Sequence, residues 1–185
     1  MGSVLDGDWD SIENLYKLEE IYFVKGLKQR FEEKIEWEKT QYIKAAKESF
    51  LKGKKYWGYE SLKEFLDKRC GYVDKLYEEI KHNGYSPECK DKNNKNIKDF
   101  HRSVLKQQLE PLVVISRNGE IILFDGFHRT TIAAILGLEI PVNVAFRHKR
   151  WQDLRDKIYN KKSLKELDLE DIKHLEHPDM KDLID

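Results

Sequence analysis

The stretch from Glu120 to Thr131, Glu-Ile-Ile-Leu-Phe-Asp-Gly-Phe-His-Arg-Thr-Thr, constrains the chain most, because its hydrophobic period changes partway along. Ile121 to Phe124 is a short apolar, β-favouring run bounded by Asn118-Gly119 and Asp125-Gly126, which reads as a strand. Leu112 to Ser116 is a second such run, so the two read as a hairpin closed at Arg117-Asn118-Gly119. After Gly126 the apolar groups of Phe127, Thr131, Ala134, Ile135 and Leu138 fall at helical spacing, and Gly137 before Leu138 fits a left-handed cap. The helix is expected to begin at Asp125-Gly126.

That junction is where the sequence looks like chemistry. The first turn of a helix has backbone N–H groups without partners and the positive end of the macrodipole, which together favour an anion. Gly126 would let a phosphate approach the backbone, and His128, Arg129, Thr130 and Thr131 add donors around the same point. A nucleotide phosphate is the natural tenant. Asp125 has three readings beside it: it holds a metal ion, accepts a proton from an attacking hydroxyl, or caps the helix, and spacing alone favours the cap.

Asp125-Gly126-Phe127-His128-Arg129, preceded by a hairpin and followed by a helix and the strand Ile140-Pro141-Val142-Asn143-Val144, resembles the ParB/sulfiredoxin-like superfamily. The resemblance covers roughly the second half of the chain. More faintly, Leu76 to Pro87 is similar to the helix and glycine turn that these domains place before the hairpin.

The departures from the superfamily's branches bear on function. Sulfiredoxins carry a catalytic cysteine just before the His-Arg pair, where this chain has Phe127, so their thiol chemistry does not carry over. The partitioning branch has a Gly-Glu-Arg-Arg type motif for a cytidine nucleotide, and His128 stands where its first arginine would be. The Asp-Gly-x-His-Arg form is most similar to the free-serine-kinase branch. That resemblance implies nucleotide-binding roles for Gly126, Phe127, His128, Arg129, Thr130 and Thr131, and catalytic roles for Asp125 and His128.

The 185 residues allow one domain with an elaborated end. Lys plus Arg number 34, as do Asp plus Glu, so no net field draws the chain to nucleic acid or to a membrane. No apolar run reaches the length of a bilayer span and no signal-peptide pattern opens the chain, so the expected location is cytoplasmic. Cys70 and Cys89 lack metal-ligand spacing and read as free thiols.

Along the first half, the loop before Asp10 carries Trp9, whose indole could pin it to the body. Ile12, Leu15, Tyr16, Leu18, Ile21, Tyr22, Leu27 and Phe31 read as the inward stripe of a helix broken near Gly26. A second helix opens at Trp37 and stops at Gly53, and Tyr56-Trp57-Gly58-Tyr59 is an aromatic turn. Ser61 and Glu64 form a capping-box pair for a helix to Lys68, and Tyr72 to Asn83 is a separate amphipathic helix. These aromatics read first as core. The alternative makes Trp37, Tyr56 or Trp57 a pocket wall, with Glu38 or Glu60 as a base.

The polar segment from Ser86 to Asn96 reads as a loop, followed by a short helix around Phe100 to Leu109. Arg147-His148-Lys149-Arg150-Trp151 is the one concentrated basic cluster, at the turn from the strand ending at Phe146 into the helix Trp151 to Asn160. Arg147, His148 and Arg150 are candidates for the far end of a nucleotide or an anionic substrate, and a charged strand-to-helix turn is the equal alternative. His174 and His177 lack a third metal ligand.

The expected fold class is therefore α+β: a small mixed sheet of the ParB/sulfiredoxin type with a large helical N-terminal elaboration and a helical C-terminal tail. The expected divisions are 1–85 for the elaboration, 86–110 for the loop and short helix, 111–160 for the core and 161–185 for the acidic tail. The leading expectation is an ATP- or ADP-dependent phosphotransferase (kinase) or nucleotide hydrolase, with ATP or another nucleotide and Mg2+ as cofactors and an unidentified small-molecule or protein acceptor. The alternatives are a non-catalytic ParB-like nucleotide switch or DNA-associated module, with Lys95, Lys98, Arg102 and Arg147 forming a basic stripe, and a structural domain whose His128-Arg129 pair is satisfied by internal carboxylates.

Overall fold

The β-branched run Val113-Val114-Ile115 builds the strand at the heart of the sheet, and a computed structural model describes residues 3–86, 110–160 and 168–183. In chain order the regular elements are β1 (Ser3–Leu5), α1 (Tyr22–Phe31), α2 (Gln41–Leu51), α3 (Leu62–Glu64), α4 (Gly71–Asn83), β2 (Leu112–Ile115), β3 (Ile121–Asp125), α5 (Phe127–Ile135), β4 (Asn143–His148), α6 (Lys149–Tyr159) and α7 (Leu169–Ile172). The class is α+β with a mixed sheet, as expected from the sequence. The described residues divide into two units whose borders cross the expected blocks.

The sheet unit takes the described residues of 1–15, 112–125 and 142–185. Its four strands lie in the order β1-β4-β2-β3, with β1 and β2 parallel to β4 and β3 antiparallel to β2. β2 is flanked on both sides and buried at Val113, Val114 and Ile115, whereas Ile121 and Phe124 of the edge strand β3 are exposed. Val113 and Ile115 pack with Trp151, Ile158 and Met180 into this unit's core.

The expected hairpin is present, with Ser116 N donating to Glu120 O at 3.0 Å. Gly119 has φ +86°, and a Cβ there would sit 2.4 Å from the Trp151 ring, so both backbone and packing require glycine. β1 is the element that the sequence hid in a loop: it has only three residues, too few for alternation to show. Trp9 does pin the following turn, meeting Phe146 edge-on at a centroid distance of 5.0 Å. Asp10 then accepts from Arg117 N at 2.7 Å and Nε at 2.9 Å. At the other end, Met180 is buried in the core and Asp179 accepts from Trp151 Nε1 at 2.9 Å, so the Pro178–Leu183 segment is an integral part of this unit.

The helical unit takes the described residues of 16–111 and 126–141, so α5 belongs with the N-terminal helices. Leu27, Ile43, Phe65, Val73, Ile80 and Ile132 are among its fully buried core residues. The expected long helix from Ser11 is instead two short 3-10 turns, Ile12–Asn14 and Leu18–Glu20, followed by α1. Ile12 and Tyr16, expected to point inward, are exposed. Gly26 does not break α1. It lets α2 cross closely, since a Cβ at Gly26 would lie 2.4 Å from Cβ and N of Tyr42.

Ser61 Oγ accepts from Glu64 N at 3.1 Å, and the Glu64 carboxylate accepts from Glu60 N at 3.0 Å, one residue before the partner a capping box would use. The helix begun there does not stop at Lys68. A π-helical segment, Phe65–Cys70, carries it directly into α4. Such widened turns recur where a side chain must be re-aimed for function.

Candidate functional site

α5 begins as the sequence suggested but one step later. Asp125 is the last residue of β3 and Gly126, at φ +86°, is the N-cap, so Asp125 is not the capping residue. Gly126 also has a structural reason to be glycine: a Cβ would lie 2.8 Å from Cα and Cβ of Pro111. The helix closes as expected, with Gly137 at φ +65° and Leu138 N donating to Ala133 O at 2.9 Å.

His128, in the first turn of α5, faces the helical unit. Its ring stacks on Phe23 with centroids 5.7 Å apart and 8° between planes. The hydroxyl of Tyr42 lies 2.9 Å from Nε2, while Nη2 of Arg69 lies 3.2 Å from Nε2 and 3.4 Å from Nδ1. A guanidinium only donates, so the imidazole must offer an unprotonated nitrogen. Burial, aided by the Arg69 charge, pushes the His128 pKa down to about 3. His128 is therefore a neutral ring, and its partners are a tyrosine and an arginine in place of the internal carboxylates of the structural-domain alternative.

The cation beside α5 is Arg69. Its Nε donates to the Tyr42 hydroxyl at 3.2 Å, and its guanidinium carbon lies 5.2 Å from the Trp57 ring centroid and 5.6 Å from that of Tyr72. No carboxylate among the described residues pairs with it. Arg69 is half-buried beside these two aromatic rings, and its Nη1 has no hydrogen-bond partner among the described residues. Tyr42 is no nucleophile, because burial pushes its hydroxyl up to about 12.

Sequence reasoning missed Arg69. It sits in a lysine-rich helical stretch with no local motif, and only the π-helical turn aims it at α5. Trp57, named from the sequence as a possible wall, is the exposed partner of this arginine, while Trp37 is core, its indole donating to Asp74 at 2.9 Å. Glu60, one of the expected bases, is an exposed partner of Lys55 at 2.5 Å.

The other expected donors divide. Thr130 and Thr131 carry buried hydroxyls without a hydrogen-bond partner among the described residues. Phe127 meets Phe23 edge-on at 5.5 Å, and Arg129 is half-buried. In the sheet unit, Arg147 is held by Asp179 through Nε at 2.8 Å, and His148 is a buried N-cap whose Nδ1 accepts from Arg150 N at 3.0 Å while Nε2 meets Gly7 O at 3.0 Å. The basic cluster is thus a structured strand-to-helix turn, with Arg150 exposed beside it. Lys95, Lys98, Arg102, Cys89 and the expected loop and helix through Leu109 lie outside the described residues, apart from Ser86.

Among the described residues no group of three His, Cys, Asp or Glu could hold a metal ion, and no helix is long and apolar enough to cross a membrane. Comparison with family models, with curated proteins and with solved structures gives no match.

Proposed function

We propose that the chain is a nucleotide-binding protein, resembling the ParB/sulfiredoxin-like superfamily, whose ligand places its phosphates beside the first turn of α5 and the guanidinium of Arg69. The observation that carries this reading is Arg69 itself: a cation clamped by Tyr42, His128 and two rings, with no carboxylate partner among the described residues. An anion with paired oxygens, such as a phosphate, complements the guanidinium fork. Gly126 offers the backbone of the turn without a side-chain oxygen of its own.

In the catalytic form of the proposal the terminal phosphoryl group passes from ATP to an acceptor hydroxyl or to water. Asp125, directly before Gly126 in the chain, takes the proton that the attacking oxygen loses. Arg69 neutralises the charge on the phosphates, and the neutral His128 ring accepts from Arg69 and holds it in place. With no protein ligand set for a metal among the described residues, Mg2+ enters as the counter-ion of the nucleotide.

The neutral, ring-packed state of His128 favours a second reading, in which nucleotide is bound without group transfer. The two separate in a phosphate-release and acceptor-phosphorylation assay with ATP and Mg2+. Turnover that Asp125→Asn abolishes supports the phosphotransferase or hydrolase, and nucleotide binding without turnover in the intact chain supports the switch.

A further inference from the structure

Trp57 occupies a backbone conformation that tryptophan rarely takes. It and Gly58 are the central residues of a tight turn in which Tyr56 and Tyr59 exchange both backbone hydrogen bonds, at 3.1 and 3.0 Å. Trp57 has φ +49° and Gly58 φ +83°, the positive pair that a type I′ turn requires, and the first of these positions ordinarily goes to Asn, Asp or Gly. A bulky ring in the left-handed region is disfavoured, and such outliers persist where the surroundings over-determine them, often at binding sites.

What holds the ring is visible. It lies nearly parallel to Tyr56, 13° off with centroids 5.3 Å apart, and Tyr56 is fixed in turn by a 2.6 Å hydrogen bond between its hydroxyl and that of Tyr22. Arg69 approaches the same indole at 5.2 Å. With both neighbours in place Trp57 is still 47% exposed, whereas Phe65, which it meets edge-on, is completely buried. The indole is oriented by Tyr56 and open to solvent, and it touches Arg69, a cation with no carboxylate partner among the described residues.

We infer that Trp57 is the base-recognition residue of the site: its exposed ring stacks on the planar base of a nucleotide whose phosphate is held by Arg69. This rests on the nucleotide reading above and deepens it. An aromatic platform next to a guanidinium suits a ligand with a flat π-system at one end and an anion at the other, and stacking of this kind tolerates any base. The site therefore distinguishes nucleotides from inorganic polyphosphate, and distinguishes poorly between ATP and CTP.

The test compares ATP, CTP and inorganic tripolyphosphate as ligands of the intact chain, Trp57→Asn and Arg69→Met by titration calorimetry, with circular dichroism to check folding. Asparagine suits the left-handed position, so Trp57→Asn keeps the turn while deleting the ring. The expected result is nucleotide affinity weakened roughly tenfold to a hundredfold in Trp57→Asn with tripolyphosphate unchanged, and both ligands weakened in Arg69→Met. Equal nucleotide affinity in Trp57→Asn and the intact chain overturns the inference, as does equal weakening of tripolyphosphate. Tripolyphosphate binding as tightly as nucleotide overturns the base platform alone, and no binding of any ligand by the intact chain overturns the nucleotide reading with it.

Discussion

The hydroxyl of Tyr42, on α2, lies 2.9 Å from Nε2 of His128, on α5, and receives Nε of Arg69 at 3.2 Å. Three residues far apart in sequence thus share one hydrogen-bonded cluster, and the charge in it belongs to Arg69.

His128 gives the helical unit a defined pH dependence. Its pKa falls from 6.5 to about 3 on folding, with burial the larger cause and Arg69 the smaller. The unfolded chain therefore takes up a proton below pH 6.5 that the folded chain refuses, so stability present above that value is lost as pH drops towards 3. Between pH 6.5 and pH 5 the loss is about 2 kcal/mol. Urea unfolding at the two pH values measures it, and His128→Gln should remove that share of the slope. In Arg69→Met, where only the smaller cause is gone, an NMR titration should find the His128 pKa raised but still below its ordinary value.

Gly26→Ala separates packing from helix propensity. Alanine in a helix interior ordinarily gains about 1 kcal/mol over glycine. Here the new Cβ would lie 2.4 Å from backbone and Cβ of Tyr42, so the substitution should destabilise by about 2 kcal/mol or more. Thermal or urea unfolding gives the sign directly. Because Tyr42 must shift, ligand affinity at Arg69 should fall as well.

The sheet unit has its own acid-sensitive clasp. The hydrogen bonds from Arg117 hold the Asp10 carboxyl at about 2, against an ordinary 3.8, in spite of burial, which acts the other way. This stability is present above pH 3.8 and disappears as pH falls towards 2. At pH 7, Asp10→Ala removes the buried carboxylate from Arg117, which keeps only Asp8 and Gly7 O, and should destabilise the chain, measured by urea unfolding.

Thr131→Val tests the expected phosphate-binding role of that residue. Its hydroxyl is buried with no hydrogen-bond partner among the described residues, so the isosteric change should leave stability equal or raise it by about 1 kcal/mol. Nucleotide affinity should stay unchanged. A clear loss of affinity would place Thr131 in the binding site, as the sequence led one to expect.

What the sequence revealed depended on how local the determinant was. The hairpin at Arg117-Asn118-Gly119, α5 and its Gly137 cap each rest on neighbours in the chain, and were read directly. Gly26 misled because the same residue can end a helix or admit a crossing one, and the difference lies in Tyr42, on another helix. Arg147 and His148 looked like an anion site because Asp179 and Gly7, which occupy them, come from the two ends of the chain. Arg69 was invisible for the same reason: its partners Tyr42 and His128 are brought to it only by tertiary packing.

The measurement that tests the central claim most directly is calorimetric titration of the intact chain and of Arg69→Met with ATP, ADP and CTP, each with and without Mg2+. The account predicts saturable binding of at least one nucleotide by the intact chain, weakened at least tenfold in Arg69→Met. Absence of nucleotide binding by the intact chain, or undiminished binding by Arg69→Met, would contradict it.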